Sequence, residues 1–196
     1  MGHIKVTACP LDGLCLIEPE IIGDSRGWFT EVYNRRDLEQ AGIKRDFVQE
    51  NQSFSTRGVL RGLHFQKQYP QAKLARVTQG EVFDVAVDLR KDSATYGQWY
   101  GVVLSAENHL QFLIPEGFAH GLLVLSDTAV FVYKCTDFYH PGDEGGIAFN
   151  DPEVGIVWPG LKLSADPAQC CLSDGTPLSL SEKDKHWKGL RDTFSF

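Results

Sequence analysis

The run from Gly58 to Gln66, GVLRGLHFQ, sets one histidine among apolar residues in a strand-like segment, with Arg61 three positions before it. An imidazole titrates near neutral pH, so modest burial leaves His64 able to accept or return a proton. Arg61 adds a fixed positive charge whose planar fork suits phosphate or carboxylate. A lone histidine in an apolar strand is more often a hydrogen-bonded core residue, so its chemistry depends on what converges with it. Strict alternation would put Arg61 and His64 on opposite faces. Two readings put them in one cleft: Gly62 marks a bulge or twist that re-aims them, or Arg61 reaches around from the strand end.

Two further segments carry chemistry. If Gln79-Gly80 is a two-residue hairpin turn, Ala75 pairs with Asp84 and Val77 with Val82, and Lys73, Ala75, Val82, Asp84 and Ala86 share a face. A Lys and an Asp on a face of small apolar residues read either as a lined cavity or as a solvated cross-strand ion pair. Ile114 to His120, IPEGFAH, is a turn followed by a second histidine entering a strand, half of a cupin signature. The metal-binding half would need H-x-H and then Glu from His64 onward. Phe65 and Gln66 follow instead, with no Glu before Gly80, so no metal is expected.

The elements that must position these groups read as strands. Apolar and aromatic runs recur at Trp28–Tyr33, Phe47–Ser53, Val59–Gln66, Lys73–Thr78, Glu81–Asp88, Trp99–Leu104, Gln111–Ile114 and Val130–Thr136, between turn signals such as Arg57-Gly58, Pro115-Glu116-Gly117 and Gly145-Gly146. That cadence predicts an antiparallel sandwich or barrel. Helix is confined to Arg35–Ala41, ending before Gly42, and a short piece near Ser181, where Ser181 to Asp184 reads S-x-x-D like a cap.

With 196 residues, 42% of them hydrophobic, the chain is expected to form a single domain, 1–196. A net charge of -7 argues against a general nucleic-acid binder, so positive charge for an anionic ligand must be local. Five cysteines, including the vicinal Cys170-Cys171, show no metal-ligand spacing and make a poor disulfide framework; reduced thiols and a cytoplasmic location are expected. No apolar run is long enough for a signal peptide or a membrane span.

Taken together, GDSRGWF with Glu31 after it, FVQENQSFS, GVLRGLHFQ, KLARVTQGEVFDVAVDLR, YGQWYGVVLS, IPEGFAHGLLVLS, Tyr133-Lys134, FYHPGDEGG, FNDPEVGIVWP and LSEKD resemble the dTDP-4-dehydrorhamnose 3,5-epimerases in order and near-family spacing. The resemblance is weakest from about Gly160 to Ser179. It implies an all-β, metal-free and cofactor-free cupin jelly roll with a few short helices, acting as a homodimer on a nucleotide sugar. Carried over to this chain, it makes His64 the base, Asp184 its orienting carboxylate, Tyr133 the acid and Lys73 the group near the sugar C4 oxygen. Arg61, His120, Gln49, Asn51, Glu144 and Lys183 correspond to positions that hold sugar or pyrophosphate, with Asp84 counted among the substrate-binding residues. Tyr139 matches an aromatic stacked on thymine, and Arg26 and Glu31 match residues reaching the partner's site.

The chemistry calls for the same residue types. Hydrogens at C3 and C5 of a 4-keto sugar lie alpha to a carbonyl, so one base can remove either if a positive group stabilises the enolate oxygen. Inversion needs a proton from the opposite face. The competing readings are a relative that epimerises one carbon, a metal-dependent cupin isomerase or oxygenase, and a non-catalytic nucleotide-sugar binder.

Overall fold

Val, Phe, Tyr and Leu alternating between Gly and Pro turns fold as two packed antiparallel sheets in the computed structural model, which describes residues 3–196. In chain order the strands are β1 (Ile4–Ala8), β2 (Cys15–Pro19), β3 (Ile22–Asp24), β4 (Gly27–Phe29), β5 (Gln49–Thr56), β6 (Leu60–Gln66), β7 (Lys73–Gln79), β8 (Glu81–Asp88), β9 (Trp99–Ser105), β10 (Gln111–Ile114), β11 (Phe118–Val124), β12 (Thr128–Cys135), β13 (Glu144–Gly146), β14 (Leu161–Lys162) and β15 (Cys171–Leu172). One sheet has the order β1-β2-β10-β7-β12-β5 and the other β13-β6-β11-β8-β9. Face to face they form a jelly-roll sandwich, the all-β class expected.

Three apolar layers hold it. Ala75, Val77, Val82, Ala86, Phe112, Leu122 and Phe131 fill the space between the sheets. The other side of β8, with Phe83, Val85 and Val87, packs under the C-terminal third of the chain through Ile147, Phe149, Ile156 and Trp158. Leu38 of α1 (Arg35–Gln40) covers Leu74 and Leu113 on the outside of the first sheet. Burial on both faces explains why β8 is apolar almost throughout, and it leaves Asp84 fully enclosed.

The hairpin expected at Gln79-Gly80 is not formed. Both edges of β7 are taken by β10 and β12, and both edges of β8 by β11 and β9, so the two strands lie in different sheets. Gly80, at φ +73°, turns the corner between them, where a Cβ would collide with the Thr128 carbonyl. Lys73, Ala75, Val82, Asp84 and Ala86 do meet, but as facing surfaces of the sandwich interior rather than as cross-strand pairs.

Several expected boundaries hold. Glu81–Asp88 and Gln111–Ile114 are strands as predicted, and α1 is capped by the Asn34 side chain and followed by Gly42 at φ +88°. Trp28–Tyr33 is shorter than expected: only Gly27–Phe29 is strand, paired with Ile22–Asp24 in an exposed ribbon too small to be held from both sides. The helix near Ser181 is a single 3-10 turn, Lys183–Lys185, whose Asp184 amide donates to Ser181 as the S-x-x-D pattern suggested. Among the described residues no helix is long and apolar enough to cross a membrane.

The Arg61/His64 question is resolved by a bulge. The register of β6 on β11 pairs His64 with His120 but Arg61 with Leu122, so Gly62 and Leu63 together oppose the single Gly121. Arg61 and His64 thereby face inward together while Leu60, Leu63 and Phe65 face the outer layer. Gly62 has φ +122°, and a Cβ there would lie 2.6 Å from the Gly121 Cα and 2.8 Å from the His120 carbonyl oxygen. A Gly62→Ala substitution is expected to cost about 3 kcal/mol, since positive-φ strain adds to a backbone overlap; chemical denaturation measures it.

Candidate active site

A cleft of about 430 Å³ opens between the two sheets. From the first sheet, adjacent strands contribute aligned rows: Cys135 stands between Gln49 and Lys73, and Tyr133 between Asn51 and Ala75. The second sheet brings Arg61 and His64 on β6, His120 on β11 and Glu144 on β13. Lys183 and Asp184 come from the 3-10 turn at the C-terminal end, and Tyr139 from the loop after β12. The histidine and the tyrosine expected to handle protons therefore line one cavity from opposing sheets.

His64 Nε2 lies 2.5 Å from Asp184 Oδ1, with the carboxylate almost wholly buried and the imidazole part-exposed to the cleft. The Trp187 indole N–H also donates to Asp184 Oδ1, at 3.1 Å. Burial by itself would raise the Asp184 carboxyl pKa, but the hydrogen bond and charge of His64, with Ser181 and Trp187, outweigh it and hold the group below the usual carboxylate range.

A second pair sits deeper. His120 Nε2 is 2.5 Å from Asp84 Oδ1, both side chains being buried, and Asp84 Oδ2 has no hydrogen-bond partner. Burial pushes His120 down and Asp84 pulls it back up, with Lys73 and His64 adding to the fall; the net direction is downward, favouring a neutral imidazole at the cleft wall. Asp84 itself does not reach the cleft surface and acts on it through His120. Lys73 is also pushed down by desolvation, opposed by Cys135, Asp84 and Glu144. Tyr133 is pushed up, chiefly by burial, so its phenol keeps its proton at neutral pH.

The remaining predicted residues divide in two. Arg61 Nε donates to Ser55 Oγ at 3.0 Å; Gln49 donates to Asn51 and accepts from the Tyr139 amide, both at 3.0 Å. Lys183 and Glu144 pair at 2.7 Å across the mouth. Arg26 and Glu31 do not line the cleft. Arg26 pairs with Asp24 on the exposed ribbon, and Glu31 accepts from Asn34.

Sequence reasoning missed several groups. Gln52, Ser53, Gln71 and Phe131 line the cleft. Gln66, buried, donates to the Tyr69 and Phe138 carbonyls and accepts from the His140 amide, fixing the loop that carries Tyr139. The only signal for Gln66 was its place at the end of GVLRGLHFQ. Among the described residues no three His, Cys, Asp or Glu side chains are grouped to hold a metal ion, and both cleft histidines direct Nε2 at a carboxylate.

Comparison with known proteins identifies the family. A family model described as dTDP-4-dehydrorhamnose 3,5-epimerase matches residues 8–192. The chain is similar to the dTDP-4-dehydrorhamnose 3,5-epimerase of Methanothermobacter thermautotrophicus, 51% identical over 192 residues and covering 98% of this chain and 97% of that protein. The Pseudomonas aeruginosa enzyme of the same name is 51% identical over 194 residues, covering 98% and 99%. The crystal structure of a dTDP-6-deoxy-D-glucose-3,5-epimerase from Legionella pneumophila in complex with dTDP-4-keto-L-rhamnose superposes with a TM-score of 0.86 at 48% identity, covering 97% of this chain and 94% of that one.

The depressed Asp184 carboxyl has a defined effect on stability. Its contribution is complete above the ordinary carboxylate value near 3.9 and is lost as pH falls through the lower folded value. An Asp184→Asn variant is expected to be less stable than the parent by about 1–2 kcal/mol at pH 7, and that gap should close below roughly pH 4. Urea unfolding across pH 3–7 measures it; a gap independent of pH would contradict the assignment.

Proposed function

The chain belongs to the dTDP-4-dehydrorhamnose 3,5-epimerase family, and on that premise we propose the roles by which its cleft performs the reaction. The protein is an isomerase: it epimerises C3 and C5 of dTDP-4-dehydro-6-deoxy-D-glucose to give dTDP-4-dehydro-L-rhamnose. The observation that carries the proposed roles is the His64/Asp184 pair, which faces Lys73 and Tyr133 across a single cavity between the sheets.

His64 takes the carbon-bound proton alpha to the C4 ketone, and the electron pair moves into the C4 oxygen as an enolate. Asp184 fixes the imidazole and stabilises the imidazolium that forms. Lys73 faces the developing negative charge; a desolvated ammonium, poorly hydrated, gains most from an oxyanion brought against it. Tyr133, from the opposing sheet, returns a proton to the other face of the same carbon and so inverts it. Its phenoxide is reprotonated from solvent, and His64 gives up the proton it took. The ketone supplies the activation, and solvent closes the proton balance by taking the proton from His64 and returning one to Tyr133.

Around that centre, Arg61, Gln49, Asn51, His120, Glu144 and Lys183 hold the sugar and the diphosphate. Local Arg and Lys supply the positive charge that a chain of net charge -7 otherwise lacks. Tyr139, half exposed on its pinned loop, stacks on the base. The chain works as one domain in the cytoplasm and as a homodimer. Trp28 and Phe29 stand 60% and 67% exposed on the β3–β4 ribbon, apolar surface that a second copy would cover, and this ribbon carries Arg26 toward the partner's cleft.

Four measurements test this reading. In deuterated water with dTDP-4-dehydro-6-deoxy-D-glucose, NMR should show solvent exchange at both C3 and C5, and exchange at one carbon alone would assign a single-carbon epimerase. His64→Asn should lower kcat by about 10²–10⁴-fold, and a variant at full activity would remove His64 from the role. Sedimentation is expected to give a dimer, and Arg26→Ala should raise KM severalfold while leaving the sedimentation coefficient unchanged. A monomeric parent enzyme would refute the shared site.

A further inference from the structure

Trp187 lies three residues past Asp184, outside the segments that carried the functional reading, yet it touches every part of the proton-transfer pair. Its indole N–H donates to Asp184 Oδ1, the same oxygen that meets His64 Nε2. Its ring stands edge-on to the His64 imidazole, with centroids 6.1 Å apart and planes at 67°. Its seat is Gly146, where a Cβ would fall inside the indole ring, and Gly146 is the β13 residue in register with His64. The ring thus fits against the strand that bears the base only because residue 146 has no side chain.

The segment carrying Trp187 is tied down on both sides. Lys188 accepts from the Ala148 amide, the Leu190 amide donates to the buried Asp151 carboxylate, and Thr193 donates to the Gly146 carbonyl. Beyond it, Phe194 and Phe196 pack on Phe65, and the Phe196 backbone bonds to Leu89 and Lys91. A side chain anchored in this way holds the Asp184 carboxylate in one orientation, because a carboxylate on a single 3-10 turn has few other constraints.

We infer that Trp187 is a positioning residue for the epimerisation: its indole N–H shares Asp184 Oδ1 with His64 and fixes the line along which the imidazole and carboxylate exchange charge. This rests on His64 and Asp184 acting as the base and its partner. The donor also draws off part of the carboxylate's negative charge, so it limits how strongly Asp184 stabilises the imidazolium. The other charged or titratable groups lining the cleft with His64 are His120 on β11, Lys73 on β7, Tyr133 on β12, Arg61 on β6, Glu144 on β13, Tyr139 on the loop after β12 and Lys183 beside Asp184, and the Trp187 indole N–H donates to none of them.

Trp187→Phe keeps a smaller aromatic ring beside Gly146 and removes the donor. We expect kcat to fall roughly tenfold, the factor that about 1.4 kcal/mol of lost hydrogen bonding gives, with KM within twofold of the parent. Asp184 freed of one donor favours the protonated imidazole, so the acid limb of kcat/KM should move up by roughly half to one pH unit. Gly146→Ala, which displaces the indole without removing it, should reproduce both effects. In the unaltered protein, the indole N–H proton resonance assigned to Trp187 should shift with the same pH midpoint as that acid limb, a readout independent of any variant's folding.

Parent-like kcat and pH profile in Trp187→Phe would overturn the inference, as would a lower kcat with an unmoved profile, or an indole resonance that does not titrate. If His64→Asn remains active, the underlying assignment of the base fails. If His64→Asn is inactive and Trp187→Phe behaves like the parent, only the role of Trp187 fails.

Discussion

One hydrogen bond, 2.5 Å between His64 and Asp184, joins positions 120 residues apart and depends on nearly everything else in the molecule. His64 is aimed by a bulge that needs two glycines, Gly62 and Gly121, with their backbones in near contact. Asp184 is held on one 3-10 turn at the start of a segment that returns across the second sheet and packs on Phe65 and Gly146. Neither part specifies the pair alone. The outer apolar layer, with Ile147, Phe149, Ile156 and Trp158 over β8, is therefore as necessary to the proposed proton transfer as the cleft is, since it fixes the distance between strand and returning tail.

Enzymes that move protons alpha to a ketone must keep a base, an oxyanion stabiliser and an acid in different protonation states at one pH. Here each sheet supplies a different part. The second sheet presents imidazoles already committed to carboxylates, and the first presents an ammonium and a phenol whose values are moved in opposite directions by the same cause, desolvation. A buried Asp84 with one oxygen unpartnered is costly by itself. Its place beneath His120 and near Lys73 puts that cost where it sustains positive charge at the cleft floor, in a protein whose overall charge is negative.

The strands were legible because their signal is local. Alternation and turn residues located Glu81–Asp88 and Gln111–Ile114 with the right bounds, and Gly42 marked the end of the helix that starts at Arg35. Pairing was not local. Gln79-Gly80 has the look of a hairpin turn, but which strands share an edge is decided by all the neighbours competing for it, and β10, β12, β11 and β9 had taken those positions. The small strands Ile4–Ala8 and Cys15–Pro19 were not expected, although Ile4, Val6 and Ala8 alternate with Lys5 and Thr7; five residues each, they are ordered by pairing with one another and, for Cys15–Pro19, with β10.

By itself the sequence determined the fold class, the residue types available for proton transfer and, through long matched segments, the family. Its local rules left Arg61 and His64 on opposite faces and gave no hint that Trp187 meets Asp184. Tertiary structure decided both, together with the burial of Asp84, the paired depth of His120 and the separation of Lys73 and Asp84 into facing sheets. The reason is physical. Propensity and periodicity act over a few residues, whereas the aim, desolvation and charge state of a side chain are set by atoms that only folding brings within a few ångströms.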